Sequence, residues 1–135
     1  MTVEVRYLSS NEVLLIHDHA IREFGGSFGL MSPERLEASI GAPRQTMFGQ
    51  ELYPDLFSKA AILFYLLVKN HPFVDGNKRT AALALIEFLE RNGYTLDATN
   101  DELYQFTVDV ASSVLGKEET EMWIRDKAIK MSYGK

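Results

Sequence analysis

Leu56-Phe57-Ser58-Lys59-Ala60-Ala61-Ile62-Leu63-Phe64-Tyr65-Leu66-Leu67-Val68 is apolar on almost every side of a helical projection. A helix with no polar face must be surrounded by other elements, so this run predicts the central helix of the fold. Pro72 disfavours a helical conformation at His71 and ends the helix near Asn70. A second core helix is predicted from Asn77 to about Arg91, with Ala81, Leu85, Phe88 and Leu89 inward and Asn92-Gly93 closing it. Between the two lies His71-Pro72-Phe73-Val74-Asp75-Gly76-Asn77-Lys78-Arg79-Thr80, which gathers most of the chain's unusual polar chemistry into one bend.

Outward from this pair, Ser10 to Phe24 carries Val13, Ile16, His17, Ala20, Ile21 and Phe24 at helical spacings of three and four. Ser9 or Ser10 caps its start and Gly25-Gly26 stop it. Ser32-Pro33 opens a shorter helix through Leu36 and Ile40 to Gly41. Thr99-Asn100-Asp101-Glu102 is a capping-box pattern for a helix to Leu115, stopped by Gly116. Lys117 to Met131 is predicted to form the last helix, with Met122, Trp123 and Ile124 on it and Glu118 and Glu119 suited to its first turn. Val3 to Leu8 reads as extended. Pro43 to Pro54 has no sustained period, and Arg44 to Tyr53 within it is a candidate flap along which a peptide strand could add. The expected architecture is mostly α: one compact helical bundle spanning residues 1–135, with the bend between two central helices.

With 135 residues the chain fits one domain with a real core. Its net charge of -5 disfavours a general nucleic-acid or anionic-membrane binder. There is no cysteine, which excludes disulfides and thiolate metal sites and accords with a cytoplasmic protein. Met1 to Arg6 lacks a signal-peptide core, and the apolar run Ala60 to Val68 is too short for a membrane helix.

Chemically the bend suits an anion. Gly76 permits a backbone turn that points successive N–H groups into one concavity, and the following helix start adds its positive end. Lys78 and Arg79 fall in that helix's first turn, where a cation is disfavoured unless an anion sits there. Arg79 can grip phosphate oxygens in a fork and Lys78 supplies a compact charge. Asp75 can hold a phosphate-bridging Mg2+ or simply cap the helix. His71 can take a proton from a hydroxyl. Phe73 suits an apolar anchor. His17 lies on an apolar stripe and His19 off it, so a satisfied core or interface histidine and a solvated one are expected rather than a zinc pair.

The same residues resemble the signature of the Fic superfamily, His-x-Phe-x-Asp/Glu-Gly-Asn-Gly-Arg-x-x-Arg, in its Doc ("death on curing") variant, His-x-Phe-x-Asp/Asn-Ala/Gly-Asn-Lys-Arg. Looser similarity extends to His17, Gly29-Leu30, Leu36-Glu37, Phe64 to Asn70 and Asn92-Gly93. Two positions depart from the wider signature: Lys78 replaces its second glycine and Ala82 its second arginine. That arginine holds the terminal ATP phosphates in the AMP-transferring pose, so its absence implies the Doc-type reaction. On that resemblance the chain is expected to be a toxin of a toxin–antitoxin pair. It would be a protein kinase passing the γ-phosphate of ATP to a threonine or serine hydroxyl of a translation protein resembling elongation factor Tu. His71 would be the base, and Asp75 would ligate Mg2+ and orient the site. Gly76, Asn77, Lys78 and Arg79 would bind phosphate, Arg79 also acting in catalysis. No Ser or Thr is followed four residues later by Glu, so the self-inhibiting helix of some Fic enzymes is missing and inhibition is expected from an antitoxin in trans. Rival readings are a Fic-type adenylyltransferase, a non-catalytic antitoxin-binding module, and a metal-dependent nuclease built on His71, Asp75 and Asn77.

Overall fold

A computed structural model describes residues 4–132. Six helices form the frame: α1 (Ser10–Phe24), α2 (Pro33–Gly41), α3 (Leu56–Asn70), α4 (Asn77–Arg91), α5 (Asn100–Ala111) and α6 (Lys117–Lys127). A 3₁₀ turn, Ala42–Arg44, follows α2. As its sequence demands, α3 runs through the centre. It packs on α2, α4, α5 and α6, and Ala60, Leu63, Phe64, Leu67 and Val68 are all buried. Phe64, Phe73, Phe88 and Leu85 have almost no exposed surface, and burying each such side chain stabilises the fold by about 1.5–3 kcal/mol. Trp123 of α6 stacks on Phe106 of α5 at 3.8 Å, and Phe106 on Phe64 at 5.0 Å. The last helix is thereby fastened to the central one, while Met122 points to solvent.

Local signals account for most boundaries. Ser9 and Glu12 form a reciprocal capping box on α1, and Thr99 with Glu102 repeats it on α5. Ser32 caps α2 just before Pro33. Asp55 caps α3 through Ser58 and is also held by Arg125 of α6.

Two helices stop short of the sequence expectation. The fifth ends at Ala111, not Leu115. Lys69 of α3 donates to the carbonyls of Val110 and Ala111 and to Ser113 Oγ, taking over the helix end. Ser113 then turns into the left-handed region at φ 65°. The sixth ends at Lys127, because Ala128–Lys130 becomes strand β4 and pairs antiparallel with β3 (Tyr94–Leu96). An unpaired β3 would leave its backbone N–H and C=O groups open, so the pairing outweighs another turn of helix.

The two other strands, β1 (Thr46–Met47) and β2 (Gln50–Glu51), make a small exposed hairpin inside the segment read as a candidate flap. Its two-residue turn is Phe48-Gly49, both at positive φ. Residues 4–9 join no helix or sheet: Asn92 exchanges two hydrogen bonds with the backbone of Arg6, and Leu8 is buried. Val3, where the extended start was placed, lies outside the described residues. No helix among the described residues is long and apolar enough to cross a membrane.

Candidate functional site

The bend sits between α3 and α4 and is held on three sides. His71 closes α3 in a left-handed conformation, φ 48° and ψ 60°, with its side chain exposed. Histidine tolerates this region better than most residues. On one flank, residues 29–32 pair with the bend. The N–H groups of Met31 and Ser32 donate to the Pro72 carbonyl at 2.8 and 3.0 Å, and Val74 donates to Gly29 at 3.0 Å. A Cβ on Gly29 would stand 3.0 Å from Val74, so the close approach needs glycine there.

Within the bend, Asn77 braces Phe73. Its amide accepts from the Phe73 N–H and donates to the Phe73 carbonyl, both at 2.9 Å. These two bonds use one N–H and one lone pair of the Asn77 amide, and the backbone N–H of Asn77, in the first turn of α4, has no helical acceptor. Sequence reasoning groups Asn77 with the phosphate binders; in the structure its amide also holds the loop in shape. Phe73 is the buried anchor expected of it, 1% exposed.

The other support comes from α1. His17, Ile21 and Phe24 recur at i, i+4 and i+7, one stripe of that helix. His17 stacks on Phe73 with ring centroids 3.8 Å apart and planes 5° from parallel. Its Nε2 lies 2.8 Å from the carbonyl oxygen of Asp75. A carbonyl can only accept, so the proton is on Nε2. This is the satisfied core histidine expected from the sequence, and exposed His19 is the solvated one. Ile21 lies against Gly76, where any Cβ would come within 3.0 Å of Ile21 Cδ1. Phe24, placed on the core face by its spacing, is instead 58% exposed. Its ring lies beneath the Arg79 guanidinium, 4.1 Å from Cζ to centroid.

Asp75 does not cap α4, one of its two sequence readings. The cap position is Gly76, at φ 75° and ψ 20°, with no side-chain hydrogen bond to the helix start. The Asp75 carboxylate accepts instead from the Ser27 N–H (3.0 Å, at Oδ2) and from the Gly76 N–H (2.9 Å, at Oδ1). These two donors, Ser27 first, hold its pKa below the usual carboxylate value, with His17 and Lys78 adding to the effect. The carboxylate is therefore ionised, exposed and fixed in direction.

At α4 the Thr80 N–H bonds to the Gly76 carbonyl. The N–H groups of Asn77, Lys78 and Arg79 consequently have no helical acceptor. No acidic residue occupies this first turn. Lys78 and Arg79 are exposed, and neither joins an ion pair among the described residues. Two cations in the first turn of a helix with no side-chain cap are an arrangement that could hold an anion. Ala82, one turn further on, packs against the core.

A metal would find one carboxylate here. Among the described residues no group of three or more His, Asp or Glu converges. That donor set does not fit an all-protein cage, but it fits Mg2+ brought by phosphate, which keeps waters and needs one or two carboxylates.

Sequence reasoning names His71, Asp75, Gly76, Asn77, Lys78 and Arg79, and all belong to this one bend. It missed Ser27 and Gly26, whose contribution is a backbone N–H and a missing Cβ. It also missed Lys59, buried in α3, whose ammonium donates to Glu51 and to the carbonyls of Pro43 and Tyr53 at the base of the hairpin. A lone cation inside an apolar run was the available signal.

Comparison with known proteins agrees with this geometry. Residues 7–89, which contain α1 to α3, the bend and most of α4, match the Fic/DOC family. The chain is 38% identical over 114 residues to "Toxin Doc" of Mycolicibacterium smegmatis, covering 84% of this chain and 81% of that protein. It is 35% identical over 108 residues to "Protein kinase doc" of Escherichia phage P1, covering 80% and 84%. With a family match over residues 7–89 and 35–38% identity to these two proteins over most of the chain, the chain belongs to the Fic/DOC family.

Proposed function

We propose that the protein is a Doc-type toxin kinase that transfers the γ-phosphoryl group of ATP to a serine or threonine hydroxyl of another protein. One observation carries the reading: the first turn of α4 has no side-chain cap, is free of acids, and bears both Lys78 and Arg79, neither in an ion pair among the described residues. Backbone N–H groups, the Arg79 fork and the Lys78 ammonium together suit a polyphosphate. The relatives' names, a toxin and a protein kinase, support the direction of transfer. So does Ala82, which leaves no second arginine to hold terminal phosphates in the AMP-transferring pose.

In this reaction His71 takes the proton of the acceptor hydroxyl while that oxygen forms a bond to the γ-phosphorus. The bond from the γ-phosphorus to the β–γ bridging oxygen breaks, and ADP leaves. Asp75, with its carboxylate direction set by Ser27 and Gly76, would hold Mg2+ together with phosphate oxygens and water. The ion would neutralise charge on the transferring group. The remaining contribution is positioning: α1 and residues 29–32 keep the bend rigid so that base and cradle stay in register.

The acceptor is proposed to be a translation protein resembling elongation factor Tu, and the inhibitor an antitoxin supplied in trans, in the cytoplasm where ATP is abundant. Expression in bacteria without a cognate antitoxin tests the reading. The wild-type chain should arrest growth, and His71→Ala should relieve the arrest while the purified variant still binds ATP. Growth arrest by His71→Ala equal to wild type would refute a catalytic role for the bend.

A further inference from the structure

The stripe on α1 meets the bend residue by residue: His17 at Asp75, Ile21 at Gly76 and Phe24 at Arg79. In the first two contacts the α1 side chains, His17 and Ile21, are buried. The third is out in solvent, where an apolar ring gains nothing by burial. Phe24 is the last residue of α1, and the chain leaves it through Gly25 at φ 88° and Gly26 at φ 116°. The exit wraps around the site, so that Ser27 N–H reaches Asp75. Phe24 and Ser27 therefore contact the two charged groups of the bend whose direction matters most.

Arginine at an exposed position ordinarily samples many rotamers, and fixing it costs entropy when it binds. Here Arg79 Cζ lies over the Phe24 ring, 4.1 Å from its centroid, within the range of a cation–π contact. The ring takes no N–H donor through a hydrogen bond, so the guanidinium donors stay available to an anion. No carboxylate neutralises Arg79 among the described residues, so the ring orients the charge without competing for it. An acidic side chain in the place of Phe24 would orient the arginine equally well and cancel its charge toward phosphate.

We propose that Phe24 is a positioning residue that holds Arg79 in its anion-binding rotamer, so that the end of α1 tunes the phosphate affinity of the bend. The inference rests on the assignment of Arg79 to phosphate under the proposed function. Because Phe24 is largely exposed, substitution should leave the fold intact.

The test measures ATP binding by calorimetry for the full chain and for Phe24→Leu, Phe24→Tyr, Arg79→Ala and the Phe24→Leu/Arg79→Ala pair. Melting temperatures serve as the control for folding. Phe24→Leu should weaken ATP binding roughly 2- to 5-fold, the strength of an exposed cation–π contact. Phe24→Tyr should preserve it, since a phenol presents the same face. On an Arg79→Ala background, Phe24→Leu should cost nothing further, because the ring acts only through the arginine. If Arg79→Ala weakens ATP binding but Phe24→Leu does not, or if the two losses add, the positioning role is overturned and the cradle stands. If Arg79→Ala leaves ATP binding unchanged, the cradle assignment falls and the role of Phe24 falls with it.

Discussion

Gly26→Ala should damage the site far more than it damages the fold, and Gly25→Ala is its internal control. Both glycines hold backbone angles that L-residues rarely adopt, φ 116° and 88°, and forcing a side chain there costs about 1–3 kcal/mol. Unfolding entropy of about 2.1 cal/mol/K per residue over 135 residues amounts to roughly 0.3 kcal/mol/K. Each variant should therefore melt roughly 3–10 °C below wild type. Their surroundings differ. A Cβ on Gly25 meets nothing within 4 Å, whereas one on Gly26 would stand 2.7 Å from Asp75 Oδ2 and 3.1 Å from Ile21 Cδ1. Carboxylate oxygen and methyl carbon cannot share that space, so Asp75 must turn away and lose the Ser27 N–H. Outer contacts of this kind, orienting a metal-side carboxylate, change affinity or activity about 10- to 100-fold when lost. Phosphoryl transfer measured well below both melting temperatures should fall by that factor in Gly26→Ala and stay near wild type in Gly25→Ala. Equal rates in the two variants would refute the claim that residues 26 and 27 orient Asp75.

Two other perturbations separate the site from its frame. Lys59→Met removes the buried ammonium under the hairpin and strands the Pro43 and Tyr53 carbonyls; the loss of a charge-assisted bond of this kind is worth about 1.5–3 kcal/mol. Thermal unfolding should show that loss while ATP affinity holds, since Lys59 and His71 are separated by roughly 18 Å along the axis of α3; a parallel fall in affinity would mean that hairpin and bend are coupled. The Asp75 carboxyl, held below its ordinary value of 3.8 by the Ser27 and Gly76 N–H groups, gives stability that is present above that value. It is lost as pH falls through the lower folded value. The melting-temperature gap between wild type and Asp75→Asn should accordingly be widest near neutral pH and close below about pH 4; a gap constant down to pH 2 would show that the two contacts do not favour the ionised form.

Much of this protein is legible in its sequence where the determinants are local. The bounds of α1, α3 and α4 follow from caps, glycines and Pro72, and His17 was readable as a core histidine from its place on the stripe. Lys78 and Arg79 stood out because a helix start is the wrong place for them. What escaped the reading is what distant chain supplies. The end of α5 is decided by Lys69, forty-one positions from Val110, and the end of α6 by a strand partner around Tyr94. Phe24 obeys the spacing of a core residue, yet α1 ends there and its ring finds a guanidinium in place of a core. Ser27 contributes a backbone N–H and Gly26 an empty volume, neither of which is written in residue type. That the Asn77 amide bonds to both backbone groups of Phe73 depends on the loop closing on itself, which residue type alone does not state.

The central claim is that the bend moves the γ-phosphoryl group. Incubating the protein with a bacterial lysate and ATP labelled at the α or the γ phosphate, in parallel with His71→Ala, tests it most directly. Label from the γ position alone should enter a protein acceptor, and only with the wild-type chain. Transfer of α label to protein would contradict the account and identify AMP as the group moved.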